Sequence, residues 1–72
     1  MSIVAINARN QFKGIIKHII DGPVVSEVEV ETPGGIVTSV ITTSSLKQLD
    51  LHVGSEVLAV VKSTEVALAK LL

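Results

Sequence analysis

The alternation of valine and glutamate in residues 24–31 constrains the fold most strongly. In an extended chain the valines fall on one side and the glutamates on the other, which predicts a strand with one buried face. Residues 32–35 have the composition of a turn, and residues 36–42 are a second run rich in β-branched side chains. The sequence therefore predicts an antiparallel hairpin with Gly34 and Gly35 at its tip.

Two further segments are candidate strands. Residues 57–61 are all apolar, rich in β-branched side chains and preceded by Gly54, a pattern typical of a buried strand. In residues 12–20, the phenylalanine and four isoleucines recur at helical spacing, whereas the isoleucines and a glycine favour a strand by composition. Periodicity leaves this segment undecided. Asp21-Gly22-Pro23, which follows it, predicts a turn.

A short helix is predicted after the hairpin. The hydroxyl run Thr43-Ser44-Ser45 precedes Leu46 and Leu49, which is typical of a helix N-cap followed by one or two turns. Residues 66–72 suit either a last strand or a frayed helix. We therefore expect residues 1–72 to form a single, mostly β domain of five or six strands with one short helix.

The chain is short and apolar for its length. A domain of 72 residues buries only about 60% of the surface that its unfolded chain exposes. It has no cysteine for a disulfide and no Cys/His pattern for structural zinc. Yet 47% of its residues are hydrophobic and only 18% are charged. A monomer of this size cannot hide so much apolar surface, so we expect its subunits to associate.

The composition argues against several classes of protein. The net charge is −1, and one phenylalanine is the only aromatic residue, which argues against a nucleic-acid-binding domain. No apolar run approaches the roughly 18 residues of a membrane span. Residues 1–7 lack the features of a signal peptide, and we expect a cytoplasmic protein. His18 and His52 stand apart from any nucleophile pattern, so we expect neither an enzyme nor a cofactor.

A cation and hydroxyl groups follow the predicted strand at residues 57–61. Lys62, Ser63 and Thr64 are hydrogen-bond donors, and a donor cluster without a carboxylate suits a small oxyanion. The plainer interpretation, favoured on this stretch alone, is a lysine at a strand end followed by a turn. Thr42 and Ser45 are likewise either ligand donors or helix caps, and capping is favoured.

Three stretches of the chain together carry the pattern of a known family. They are Asn7-Ala8-Arg9-Asn10-Gln11, Thr38-Ser39-Val40-Ile41-Thr42 and Val61-Lys62-Ser63-Thr64-Glu65-Val66. In this order and spacing they resemble the molbindin (Mop) family, small cytoplasmic proteins that bind molybdate and tungstate. No single stretch is specific to this family, but the combination of the three is. The resemblance covers nearly the whole chain.

The resemblance implies a fold, an assembly and a function. The fold is a small OB-like antiparallel β-barrel with an exchanged N-terminal strand, which favours a strand for residues 12–20. The assembly is a homohexamer, a trimer of dimers, with molybdate or tungstate bound between subunits for storage or homeostasis. The alternative is an assembly module of the same fold that binds no ligand. No residue is expected to act as a direct ligand of a metal cation.

The resemblance also implies site residues. Arg9 corresponds to the arginine of the family motif Ser-Ala-Arg-Asn-Gln, and Asn7 stands where that motif has serine. Lys62 and Ser63 match the family's Lys-Ser/Thr pair, and one expectation is that Arg9 and Lys62 come from different subunits. The full candidate oxyanion-binding set is Asn7, Ala8, Arg9, Asn10, Thr42, Ser45, Lys62 and Ser63.

Overall fold

A computed structural model describes residues 7–72, which form one antiparallel sheet and two short helical segments. The elements in chain order are β1 (Asn10–Ile20), β2 (Val25–Thr32), β3 (Gly35–Thr42), α1 (Thr43–Gln48), β4 (Glu56–Val61) and a 3-10 turn, Ser63–Glu65. The strand order across the sheet is β3-β2-β1-β4, so that β1 pairs with both β2 and β4. A mainly β fold with one short helix is therefore confirmed.

The predicted hairpin is formed by β2 and β3. Ser26, Val28 and Val30 are buried, and the glutamates of β2 lie on the opposite face, as their alternation predicts. Thr32 pairs with Gly35 around a two-residue turn, so the tip lies one residue earlier than expected. Gly35 has φ of 120°, in the region that favours glycine.

β1 is a strand, and a β-bulge explains why its sequence has helical spacing. Ile16 pairs with Val30 and His18 pairs with Glu29, so Lys17 is an extra residue in β1. Because of the extra residue, odd-numbered positions after the bulge face the core, whereas even-numbered positions do so before it. Ile16 and Ile19, three positions apart, consequently both pack in the core. Composition, rather than periodicity, predicted the correct secondary structure here.

The hydrophobic core is small and lies between the sheet and α1. Its buried members are Ile16, Val28, Val30 and Leu46, of which Leu46 comes from the helix. Partly buried residues pack around it: Ile19, Ile41, Leu51 and Val57. Large apolar side chains remain exposed outside this core, so one chain leaves unburied much of the apolar surface that its sequence carries.

Two expectations about secondary structure are not confirmed within residues 7–72. Residues 7–72 contain four strands, not five or six, and the expected exchanged N-terminal strand lies outside the described residues. Residues 66–72 form neither of the two elements considered for them. Seven residues are too short for an isolated helix, and this segment has no strand partner within the described chain.

Between residues 7 and 72 no helix is both long enough and apolar enough to cross a bilayer.

Replacing Gly14 by alanine tests the close approach of β1 to β2. A Cβ atom there would overlap the carbonyl oxygen of Glu31 and lie 2.7 Å from Cγ1 of Val30. We expect Gly14→Ala to lower the free energy of unfolding by about 1–3 kcal/mol, because well-packed sites resist added atoms. Gly34→Ala is the matched control, since its Cβ would meet only Thr32 Oγ1 at 3.8 Å. Urea denaturation measures both, and equal effects would contradict the prediction.

Candidate oxyanion-binding site

The pairing of β1 with β4 brings the two candidate cations to one end of the sheet. Asn10 pairs with Val61, and Arg9 and Lys62 each lie one residue beyond this pair. Both side chains are exposed, and neither forms an ion pair with another residue in the range 7–72. Two unneutralised cations at one sheet end form an arrangement that a bound anion would stabilise.

Arg9 and Lys62 were expected to come from different subunits. The register of β1 and β4 shows that a single chain already places both at the same end of its sheet. The contribution of the two cations by different subunits to one bound anion stays a prediction.

The residues flanking Arg9 hold the backbone in place. Asn10 donates from Nδ2 to the carbonyl oxygen of Val61 at 3.1 Å, which ties the start of β1 to the end of β4. Gln11 donates from Nε2 to the carbonyl oxygen of Ala8 at 2.7 Å, and Ala8 itself is buried. Asn10 and Ala8 thus support the position of Arg9 in this chain. Gln11 was not among the predicted site residues, although it lies in the same family motif.

The backbone turns sharply after Lys62. Lys62 precedes a 3-10 turn, in which Glu65 donates its backbone N–H to the carbonyl oxygen of Lys62 at 2.9 Å. The predicted turn after Lys62 is therefore present, and it leaves Ser63 exposed beside the lysine. Glu65, the nearest carboxylate along the chain, is part of the same turn and is also exposed.

Thr42 caps helix α1. Its Oγ1 accepts a hydrogen bond from the backbone N–H of Ser45 at 3.1 Å, and its hydroxyl donates to Oγ of Ser45 at 2.7 Å. The N-cap lies one residue before the predicted hydroxyl run. Because the Thr42 proton is used within the cap, the hydroxyl proton of Ser45 is the one left to donate outward.

The candidate residues form two groups at opposite ends of the sheet. Thr42 pairs with Val25, at the end where β1 finishes, whereas Arg9 and Lys62 lie where β1 begins. The eleven residues of β1 separate the two groups by about 33 Å along the strand, given about 3.3 Å per residue. One chain therefore does not bring Thr42 and Ser45 into contact with the other candidates.

A buried ring of hydroxyl groups supports the Thr42 end of the sheet, and sequence reasoning missed it. Thr43 donates to the carbonyl oxygen of Gly22 at 2.7 Å, and its Oγ1 lies 2.7 Å from Oγ of Ser26. The backbone N–H of Gly22 donates to Oγ of Ser26 at 3.3 Å and closes the ring. The available signal was a serine at a core-facing position of the alternating strand.

Other features of the described residues do not suit an oxyanion. A groove of about 420 Å³ lies near the hairpin turn, lined by Lys13, Glu31 and Glu56 among others, and its carboxylates would repel an anion. Within residues 7–72 no group of three or more His, Cys, Asp or Glu side chains is placed to hold a metal ion.

Comparison with known proteins identifies the family. Residues 6–68 match the family model of the TOBE domain. Molybdenum-pterin-binding protein 2 of Clostridium pasteurianum is 44% identical over 64 residues, which are 88% of this chain and 94% of the relative. The chain belongs to the molbindin (Mop) family of TOBE domains.

Solved structures of molbindin-type proteins share the fold described above. A molybdate-binding protein from Sporomusa ovata superposes with a TM-score of 0.88 at 33% identity, covering 93% of this chain and all of the other. The cytoplasmic molybdate-binding protein ModG, solved with molybdate bound, gives a TM-score of 0.78 at 35% identity. That match covers 82% of this chain and 43% of ModG. The resemblance that the three motifs carried is thus confirmed.

Substitutions at Thr42 separate its capping role from ligand binding. We expect Thr42→Ala to lower the free energy of unfolding by about 0.5–2 kcal/mol, because the cap is lost. We expect Thr42→Ser to retain most of the stability that the cap provides. Thermal unfolding without any anion present measures this effect. Thr38→Ala, an exposed hydroxyl on the same face of β3, is the control. A Thr42→Ala chain as stable as the parent would contradict the capping role.

Proposed function

We propose that this molbindin is a cytoplasmic, non-enzymatic protein that binds molybdate or tungstate for storage or homeostasis. The observation that carries the proposal is the pair of exposed cations, Arg9 and Lys62, at one end of the sheet without ion-pair partners among the described residues. The names of the relatives, which describe binding proteins for molybdate or molybdenum-pterin, support the same ligand class.

The chemistry of these residues suits a tetrahedral dianion. Molybdate offers acceptor oxygens and has no proton to donate near neutral pH, so its site needs donors only. The guanidinium of Arg9 can donate two parallel hydrogen bonds, and Lys62 and Ser63 add an ammonium group and a hydroxyl. Tungstate has the same shape and charge, so the same donor set would accept it.

A free oxyanion suits the chain better than a pterin cofactor. Phe12 is its only aromatic residue. A planar ring system is usually held by aromatic or apolar side chains around a concave pocket. The exposed end of the sheet offers small polar donors instead, so we propose that the bound species is the inorganic anion.

We further propose that the site is completed in a homo-oligomer, with a hexamer built as a trimer of dimers. The chain exposes 5926 Å². A folded monomer of 7.6 kDa would expose about 4,300 Å² by the usual scaling of surface with mass. The difference of roughly 1,600 Å² is about twice the ~800 Å² that one partner buries in a standard interface, so it suits a subunit with more than one neighbour. A neighbouring subunit would supply the donors that the open Arg9 end lacks, such as those of the Thr42 group.

Removing either cation should weaken anion binding. We expect Arg9→Ala and Lys62→Ala each to raise the dissociation constant for molybdate about ten- to hundredfold, since a charge-assisted hydrogen bond contributes about 1.5–3 kcal/mol. Isothermal titration calorimetry measures the affinity, with the oligomer mass recorded by light scattering on the same samples.

Lys13→Ala is the matched control for this experiment. Lys13 lies on β1, four residues after Arg9, but it pairs with Glu56 at 3.4 Å, so its loss should leave molybdate binding unchanged. If both Arg9→Ala and Lys62→Ala bind molybdate as the parent does, the site lies elsewhere. A parent chain that forms oligomers but binds no oxyanion would favour the ligand-free assembly module.

The same site should discriminate against phosphate. A phosphomonoester loses its last proton with a pKa of about 6, but inorganic phosphate has a third acidic proton, which it retains at neutral pH and at pH 8. The guanidinium and ammonium groups offer that proton no acceptor, so only a hydroxyl oxygen such as that of Ser63 could accept it. If the proton is left unpaired and buried, it costs about 1–3 kcal/mol. Sulfate carries no such proton, and only its smaller size disfavours it. We therefore expect sulfate to displace molybdate weakly and phosphate more weakly still.

Competition titrations at pH 8 measure this order. The parent chain loaded with molybdate is titrated separately with sodium sulfate and sodium phosphate at equal ionic strength. Phosphate that displaces molybdate as readily as sulfate does would contradict a site made of donors alone.

A further inference from the structure

Arg9 and Lys62 each lie one residue outside the sheet. β1 begins at Asn10 and β4 ends at Val61, so the pairing of these two strands does not extend to either cation. The backbone frays beyond the end of a strand, because cross-strand hydrogen bonds no longer hold it. A site that uses these two residues therefore needs other contacts to fix them before an anion binds.

Gln11 holds the peptide group that precedes Arg9. Its Nε2 donates to the carbonyl oxygen of Ala8 at 2.7 Å, and this oxygen belongs to the peptide bond between Ala8 and Arg9. A peptide group is planar, so a hydrogen bond that fixes its oxygen also fixes the direction in which the chain enters Arg9. Ala8 is buried, so packing restrains the same peptide group from its other end.

Asn10 holds the peptide group that precedes Lys62. Its Nδ2 donates to the carbonyl oxygen of Val61 at 3.1 Å, and this oxygen belongs to the peptide bond between Val61 and Lys62. Asn10 also follows Arg9 directly in the chain, so its side chain ties the backbone of one cation to that of the other. Beyond Lys62, the backbone N–H of Glu65 donates to the lysine's own carbonyl oxygen at 2.9 Å. The peptide groups on both sides of Lys62 are therefore held.

The two amides reach these carbonyl oxygens from opposite faces of the sheet. Successive side chains of a strand point to opposite faces, and before the bulge the even-numbered positions of β1 face the core. Asn10 accordingly lies on the core face and is half-buried, whereas Gln11 lies on the outer face and is exposed. Each amide binds a carbonyl oxygen of its own, so the two hydrogen bonds can be removed one at a time.

An amide is the side chain that makes these hydrogen bonds without changing the charge of the site. Both acceptors are carbonyl oxygens, so the side chain that binds them must donate. A carboxylate has no proton to donate at neutral pH, and it would compete with an anion for the cations. A further lysine or arginine would add a charge that already has a carbonyl partner. Asparagine and glutamine donate and stay neutral.

We propose that Gln11 and Asn10 are positioning residues of the oxyanion site. Gln11 fixes Arg9 before the anion binds, and Asn10 fixes Arg9 and Lys62 relative to each other. This role rests on the molybdate site proposed above and is carried out through the two cations, not by contact with the anion. A site whose donors are already held loses less conformational freedom on binding, and it therefore binds more tightly.

Neutral substitutions of similar length remove the two hydrogen bonds. Gln11→Met and Asn10→Leu approximate the size of the amides and have no N–H group. We expect each to raise the dissociation constant for molybdate about two- to tenfold, because the cations must then be ordered on binding. Gln48→Met, at the exposed end of α1, is the matched control and should leave the affinity unchanged. Isothermal titration calorimetry measures the affinity, and urea denaturation of the same samples shows that each variant is folded.

Double-mutant cycles identify the cation through which each amide acts. Gln11→Met and Asn10→Leu are each combined with Arg9→Ala and with Lys62→Ala. We expect the effect of Gln11→Met to disappear in the Arg9→Ala chain and to persist in the Lys62→Ala chain. The effect of Asn10→Leu should shrink in both. Full additivity of Gln11→Met with Arg9→Ala would overturn the positioning role.

The backbone motion of the anion-free protein is a measurement that does not depend on binding. We expect Gln11→Met to increase the picosecond-to-nanosecond motion of the Arg9 backbone amide and to leave that of Lys62 unchanged, as measured by NMR relaxation of the amide nitrogens. Asn10→Leu should increase both. An Arg9 amide that is as rigid in Gln11→Met as in the parent would refute the proposal, because an amide that only contacts the anion would not affect this motion.

The outcomes separate the positioning role from the proposed function. A parent chain that binds no molybdate refutes the proposed function, and the relaxation measurement then still decides whether Gln11 holds Arg9. If the parent binds molybdate and both Gln11→Met and Asn10→Leu bind it with the same affinity as the parent, only the positioning role is refuted.

Discussion

The structure depends on the pairing of β1 with two neighbours at once. β1 pairs with β2 along one edge and with β4 along the other, and Ile15 pairs with both Glu31 and Glu56. This double pairing holds the core residue Ile16 in place. It also fixes where β1 begins relative to the end of β4, and this register places Arg9 and Lys62 at the same end of the sheet. The fold and the candidate site therefore both depend on the pairing of β1 with β2 and β4. Gly14 is required for this pairing because β2 lies too close to it for a side chain.

The sheet separates structural polar groups from those that remain available to a ligand. The ring of Ser26, Thr43 and Gly22 uses its hydrogen bonds internally, and no described buried side-chain polar atom lacks a partner. Arg9 and Lys62, in contrast, are exposed and unpaired within the described chain. Polar groups that stabilise the fold have hydrogen-bond partners, whereas those that would bind an anion have no ion-pair partner among the described residues. This distribution is expected of a binding protein whose ligand supplies the missing partners.

The small core leaves many apolar side chains of the chain without a surface to pack against. With four buried apolar residues in its core cluster, one subunit leaves much of its apolar side-chain surface in water, and it has no disulfide to compensate. Association would remove this surface and bring the two separated groups of candidate donors from different subunits together. Stability and ligand binding would then depend on the same contacts, and bound anion would stabilise the assembly by mass action.

The sequence by itself determined the hairpin of β2 and β3, the strand β4 and the short helix, and its three motifs indicated the family. The three structural elements depend on local alternation, turn residues and capping, which neighbouring residues specify. It did not determine that residues 12–20 hold a bulge at Lys17, because a bulge is defined only against the partner strand. Nor did it show that Thr42 and Ser45 lie at the opposite end of the sheet from Arg9 and Lys62. Only the tertiary structure decided that division, because strand order and register arise from pairings between residues distant in the chain.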